Sequence, residues 1–145
     1  MRLTGFSDVG LRILIRLAVQ EDGHRISTRD IADEMQVSYA HATKACAHLS
    51  SHGWIDADRG RGGGVTLTAA GRTALLGDVV RSLEGDDDTE LVDCSGLECP
   101  LRSACRLRTA LATANEAFYA SLNTTTVAAL AQAPTRALVL GLTTG

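Results

Sequence analysis

The stretch STRDIADEMQVSYAHATKACAHLSSHGWIDADRGRGGGVTLT, residues 27–68, decides the fold. Its first part reads as a short helix over 28–35. Ser27 followed by Asp30 resembles a capping box, with Asp in place of the usual Glu. Gln36-Val37 make a turn, and Ser38 caps a second helix running to about Ser51, where Gly53 supplies a left-handed stop. Two short apolar runs follow, Trp54-Ile55-Asp56-Ala57 and Val65-Thr66-Leu67. Between them lies Asp58-Arg59-Gly60-Arg61-Gly62-Gly63-Gly64, the composition of a flexible hairpin. A helix pair followed by a hairpin is a winged helix-turn-helix, mainly α with a small β-hairpin, whose second helix enters the major groove.

On that second helix Ala42, Ala45, Cys46 and Leu49 take the inner positions. Ser38, Tyr39, His41, Thr43, Lys44 and His48 are left for phosphates or base edges. Arg59 and Arg61 sit at the hairpin tip, where a thin basic wing suits the negative potential of the minor groove. A helix pair can be ordinary packing and a glycine-rich hairpin only a turn. The order of helix pair, hairpin and basic tip favours a DNA reader.

Outward from this unit, residues 7–20 read as a helix capped by Ser7, with Val9, Ile13, Leu14, Leu17 and Ala18 at helical spacing. Thr68 caps a further helix from about Ala69 to Leu83. Gly85-Asp86-Asp87-Asp88 opens an exposed acidic loop that reaches to about residue 98. A long helix then covers about Leu101 to Leu122, with Leu107, Leu111, Ala114 and Phe118 on one face. Thr124 or Thr125 caps a last short helix ending near Ala131, and an apolar tail follows Pro134. The chain thus divides into a reader over 1–83, a loop over 84–104 and a dimerisation helix with its tail over 105–145.

Composition agrees with this layout. Of 145 residues, 45 % are hydrophobic but only 3 % aromatic, so the core must be aliphatic. The net charge of −3 argues against a nucleic-acid partner until the chain is divided. Residues 1–81 hold ten Lys/Arg against nine Asp/Glu, whereas 82–145 hold four against eight. Basic residues therefore concentrate in the reader, and local charge governs phosphate contact. The stretch from Met1 to Val19 is broken by Asp8, Arg12 and Arg16, so it is neither a signal peptide nor a membrane span, and a cytoplasmic location is expected. No Ser/His/Asp triad, phosphate loop or paired carboxylate stands in a recognisable setting, which argues against an enzyme.

In a reducing compartment cysteines point to metal or redox chemistry rather than disulfides. Cys94, Cys99 and Cys105 follow the spacing C-x4-C-x5-C. Structural zinc favours closer pairs and four ligands, whereas iron–sulfur clusters are held chiefly by thiolates. From spacing alone an iron–sulfur cluster, zinc, and redox-active or inert thiols all remain open. Cys46 lies on the inner face of the reading helix and behaves as a small buried hydrophobe.

Three segments together carry a resemblance: Met1-Arg2-Leu3-Thr4-Gly5-Phe6-Ser7-Asp8, the wing Arg59-Gly60-Arg61-Gly62-Gly63-Gly64, and the cysteine block Cys94 to Leu107. On these the chain resembles the NsrR branch of the Rrf2 regulators over almost its whole length. The resemblance implies a homodimer built on helices near 101–122. It implies a 4Fe-4S cluster on Cys94, Cys99 and Cys105, with Asp8 of the partner subunit as fourth ligand. It further implies repression of nitric-oxide-detoxifying genes, relieved when nitric oxide reaches the cluster. Without a cluster, Asp8 is simply an acid meeting the positive end of a helix dipole. Arg12, one turn on, is placed to hold its carboxylate. The IscR branch of the family has a histidine soon after the third cysteine, where this chain has Arg106-Leu107-Arg108. A redox or iron-status sensor with a different cluster and a zinc-stabilised repressor are the alternatives. An electron carrier is a poorer one, having no use for a DNA reader.

Overall fold

In a computed structural model, which describes residues 2–85, 91–92, 94 and 99–143, helix α1 (Gly5–Ala18) forms the centre of the molecule. Ile13, Leu14 and Leu17 on its inner stripe are buried. They pack against α3 (Tyr39–Ser51), α5 (Leu76–Glu84), α7 (Val127–Leu130) and strand β2 (Gly64–Leu67). Its cap is Thr4, not Ser7: the Thr4 hydroxyl accepts from the Ser7 N–H at 3.2 Å. Ser7 lies inside the first turn, is fully buried, and donates its own hydroxyl to Glu84.

The reader has the expected order. Helix α2 (Thr28–Glu34) is capped by Ser27, whose Oγ accepts from the Asp30 N–H at 3.0 Å and donates to the Asp30 carboxylate at 2.6 Å. The turn passes through Gln36 at φ 54 and leads into α3. Gly53, at φ 71, ends the reading helix in the left-handed region that glycine adopts freely. Strands β1 (Ile55–Asp58) and β2 pair antiparallel, Ile55 opposite Leu67. An isolated bridge between Ile26 and Val65 braces this hairpin from behind.

The expected helix over 69–83 is two helices, α4 (Ala69–Thr73) and α5. The chain turns extended at Ala74 and Leu75. There the Leu76 N–H donates to Thr125 O and Ala74 O accepts from the Val127 N–H. Periodicity could not show this break, because its partner lies some fifty residues away. The last short helix, α7, is capped by Thr126 rather than Thr124 or Thr125.

Helix α6 (Arg106–Leu122) begins later than expected. Leu101 to Ala104 form turns and Cys105 is the cap. Tyr119 is its buried residue, and the Arg81 guanidinium of α5 lies 4.1 Å over the Tyr119 ring while pairing with both oxygens of Glu116. The stripe of Leu107, Leu111, Ala114 and Phe118 lies outside the protomer's core, and Leu107 is 61 % exposed. The tail after Pro134 folds as α8 (Thr135–Thr143), burying Val139 on the core and leaving Leu138 and Leu142 exposed. No helix among the described residues is long and apolar enough to cross a membrane.

Candidate nucleic-acid interface and metal centre

Helix α3 has a dry side and an open side. Ala42, Ala45, Cys46 and Leu49 are buried against the core. Burial pushes the Cys46 thiol above its ordinary range, and a hydrogen bond with Thr28 opposes the shift. Ser38, Tyr39, His41, Thr43 and Lys44 are exposed at the N-terminal end of the helix. The Thr43 hydroxyl donates back to Tyr39 O at 2.9 Å. Arg29, in the first turn of α2, places its guanidinium 4.1 Å over the Tyr39 ring. Sequence reasoning passed over Arg29; the available signal was a basic residue in the helix directly preceding the reading helix.

His48 differs from expectation. It shares a stripe with His41 and Lys44, which is why helical spacing nominates it. The C-terminal end of that stripe is covered. The His48 ring meets Phe6 of α1 edge-on at 5.7 Å, and its Nε2 lies 2.8 Å from the Ser82 hydroxyl of α5.

In the wing, Arg59 and Arg61 are exposed. The tip is built from local bonds: Asp58 Oδ1 accepts from the Gly60 N–H at 2.9 Å, and Gly60 O accepts from the Gly63 N–H at 2.8 Å. A Cβ on Gly63 would lie 2.3 Å from Asp58 O, so only glycine allows this tight return. Arg25 ties the base together, pairing with the Asp56 carboxylate and donating to Gly64 O at 3.0 Å.

The three thiols lie further along the sequence. Cys94, Cys99 and Cys105 are half-buried and outside any disulfide. The Cys105 Sγ accepts from the Arg108 N–H at 3.5 Å at the start of α6. A hollow of about 410 Å³ opens beside it, lined by Arg102, Arg106 and Arg108 among others. A sulfur carrying the negative charge of a metal-bound thiolate is accommodated by such a helix start and its arginines. Residues 95–98, between the first two cysteines, lie outside the described residues. Among the described residues no group of three His, Cys, Asp or Glu side chains gathers into a ligand set. Asp8 is turned outward, 56 % of its side chain exposed, and both its oxygens engage Arg12, at 3.0 and 3.1 Å. Arg12 also donates to Met35 O at 3.3 Å, which ties Asp8 to the end of α2. Soft, partly exposed thiol sulfurs fit an iron–sulfur cluster or zinc and are poor donors for magnesium or calcium.

Comparison with known proteins gives this arrangement a context. The profile of the Rrf2 family, described as an iron-dependent transcriptional regulator, matches residues 3–133. The chain is 53 % identical over 145 residues to the HTH-type transcriptional repressor NsrR of Streptomyces coelicolor, covering 99 % of this chain and 97 % of that one. Among solved structures it is similar to the oxidised form of Staphylococcus aureus CymR (TM-score 0.66, 27 % identity, 91 % of this chain and 97 % of that one). It is likewise similar to CymR, the global cysteine regulator of B. subtilis (TM-score 0.65, 26 % identity, 90 % and 96 % coverage).

Proposed function

The chain belongs to the Rrf2 family of transcriptional regulators, and on that premise we propose that it is a homodimeric, cytoplasmic repressor whose grip on operator DNA is set by a 4Fe-4S cluster that reacts with nitric oxide. It is a transcription regulator and not an enzyme. The observation that carries the reading is the exposed row Ser38, Tyr39, His41, Thr43 and Lys44 on α3, in one winged unit with the exposed Arg59 and Arg61. Tyr39, His41, Thr43 and Lys44 reach phosphates and base edges in the major groove, and the wing arginines enter the minor groove. Arg29 steadies Tyr39 at the helix entrance. Residues 1–83 then form the reader, 84–104 the cluster-binding segment, and 105–145 the dimer seam.

Cys94, Cys99 and Cys105 would hold the cluster, and Asp8 of the partner subunit would complete its ligands. Support for Asp8 comes from its outward carboxylate, pre-oriented by the two bonds from Arg12. When bound, the cluster supplies iron that combines with nitric oxide. A carboxylate would be the hardest donor among these ligands. Asp8 lies in the first turn of α1, and α1 packs directly on α3. In a dimer the two reading helices must sit about 34 Å apart to meet successive major grooves, so small shifts of α1 are felt as lost affinity.

The test is a DNA-binding titration of anaerobically purified protein, cluster-loaded and then treated with stoichiometric nitric oxide. Loaded protein is expected to hold about four irons and four sulfides per chain and to release its operator on treatment. Asp8→Ala is expected to change the cluster's absorption and its response. Equal operator binding by metal-free and loaded protein would overturn the reading, and a colourless protein with one zinc per chain would favour a zinc-stabilised repressor.

A further inference from the structure

Helix α5 ends in Ser82-Leu83-Glu84, directly before the segment that carries the cysteines. Each of these side chains holds a different part of the reader. Ser82, 5 % exposed, has its hydroxyl 2.8 Å from His48 Nε2 and 2.9 Å from His52 Nε2. A hydroxyl both donates and accepts, so it serves two imidazole nitrogens at once. Leu83 packs against the backbone of α1 at Gly10, where an added Cβ would lie 2.7 Å from it. Glu84 takes the Thr4 N–H at 2.8 Å and the Ser7 hydroxyl.

The two histidines are one turn apart at the end of α3, with ring centroids 4.6 Å apart. His48 leans on Phe6 of α1, and His52 stacks on Trp54 at 4.8 Å just before β1. Because His48 lies on the same stripe as His41 and Lys44, whatever fixes its direction also fixes theirs. A pair of bonds to one hydroxyl constrains the rotation of α3 about its axis, which apolar packing alone leaves looser. Satisfied buried polar networks select one arrangement in this way.

We propose that Ser82 is a positioning residue for DNA recognition, setting through His48 and His52 the rotation at which α3 presents His41 and Lys44. This rests on the assignment of α3 as the reading helix.

The test compares holoprotein of wild type, Ser82→Ala, His48→Phe and His48→Gln. Each is titrated with a duplex that the wild type selects from a randomised pool and with a scrambled duplex of the same composition. Ser82→Ala and His48→Phe are expected to lower the ratio of selected to scrambled affinity about tenfold, the size of one lost base contact. Binding to scrambled DNA and iron and sulfide content should stay at wild-type values, because attraction to phosphates tolerates a rotated helix, while the melting temperature falls modestly with the loss of a buried hydrogen bond. His48→Gln keeps a polar atom at similar reach and should restore most of the ratio. Unchanged ratios in Ser82→Ala and His48→Phe would overturn the proposal. So would an equal loss in His48→Gln and His48→Phe, or a loss that is uniform across both duplexes and tracks a fallen melting temperature. If the wild type discriminates equally with and without its cluster, the sensing reading fails while the ratios still judge Ser82. A wild type that selects no duplex overturns both.

Discussion

Arg61 is exposed on a turn whose backbone is closed by its own glycines and by Asp58. Its side chain has little to do for the fold, so its removal should be felt in DNA binding and not in stability. Arg61→Ala is expected to weaken operator binding by about 1–3 kcal/mol if the guanidinium reads a base edge. If it meets only a phosphate, the loss is spread evenly over sequences and the salt dependence flattens by about one counterion. Titrations at several salt concentrations, with matched and mismatched duplexes, separate these outcomes. An unchanged affinity and slope would remove Arg61 from the interface. At this scale much was readable in advance. The inner residues Ala42, Ala45, Cys46 and Leu49 follow from helical spacing. The Asp8–Arg12 pair follows from a four-residue interval. His48 is half-buried, which spacing does not show: it gives the direction of a side chain along a helix, not what another helix lays over it.

Helix α6 touches its own protomer chiefly through α5, and Arg81 makes the most defined of these contacts. The doubly bonded guanidinium holds the Glu116 carboxyl below its usual range, and Glu116 in turn raises Arg81. A depressed carboxyl stabilises the folded state at pH values above its unfolded value, and the contribution fades as pH falls through the lowered one. Glu116→Gln is therefore expected to melt below wild type at neutral pH, by a small margin since the pair is solvent-exposed. The difference should close as melting is followed into acid. A constant gap across that range would refute the assignment. Element boundaries show where sequence reasoning stops. The helix pair and the wing announced themselves through local chemistry, a capping box at Ser27 and glycines from Gly60 to Gly64. The break at Ala74-Leu75 and the Ile26–Val65 bridge did not, because both are long-range pairings made by residues with no special local preference. The cap of α1 moved from Ser7 to Thr4 for a similar reason. Ser7 is taken by Glu84, which lies 77 residues away.

For the whole molecule, the large exposed side chains are informative by their location. Leu101 and Leu107 flank the start of α6, and Leu138 and Leu142 lie along α8. Leu107 belongs to the stripe that lies outside the protomer's core, the proposed dimer seam. A charge at that position is expected to separate the subunits, since full burial of a leucine contributes about 1.5–3 kcal/mol and two-fold symmetry counts the change twice. Leu107→Glu should therefore shift sedimentation from dimer towards monomer while the fold of each chain persists. Sedimentation identical to wild type at every concentration would exclude α6 as the seam. The tail beyond Pro134 had no assignment from sequence, because its apolar residues fit a core or a partner equally well. The structure divides it, sending Val139 inward and Leu138 outward.

Trp54 is the one tryptophan of the chain, and it stacks on His52. Indole emission responds to a neighbouring imidazole, so the protein carries a built-in optical gauge at the meeting point of α3 and β1. Its intensity in metal-free protein reports the packing of that corner without dye or label, and can be watched in real time as DNA is added.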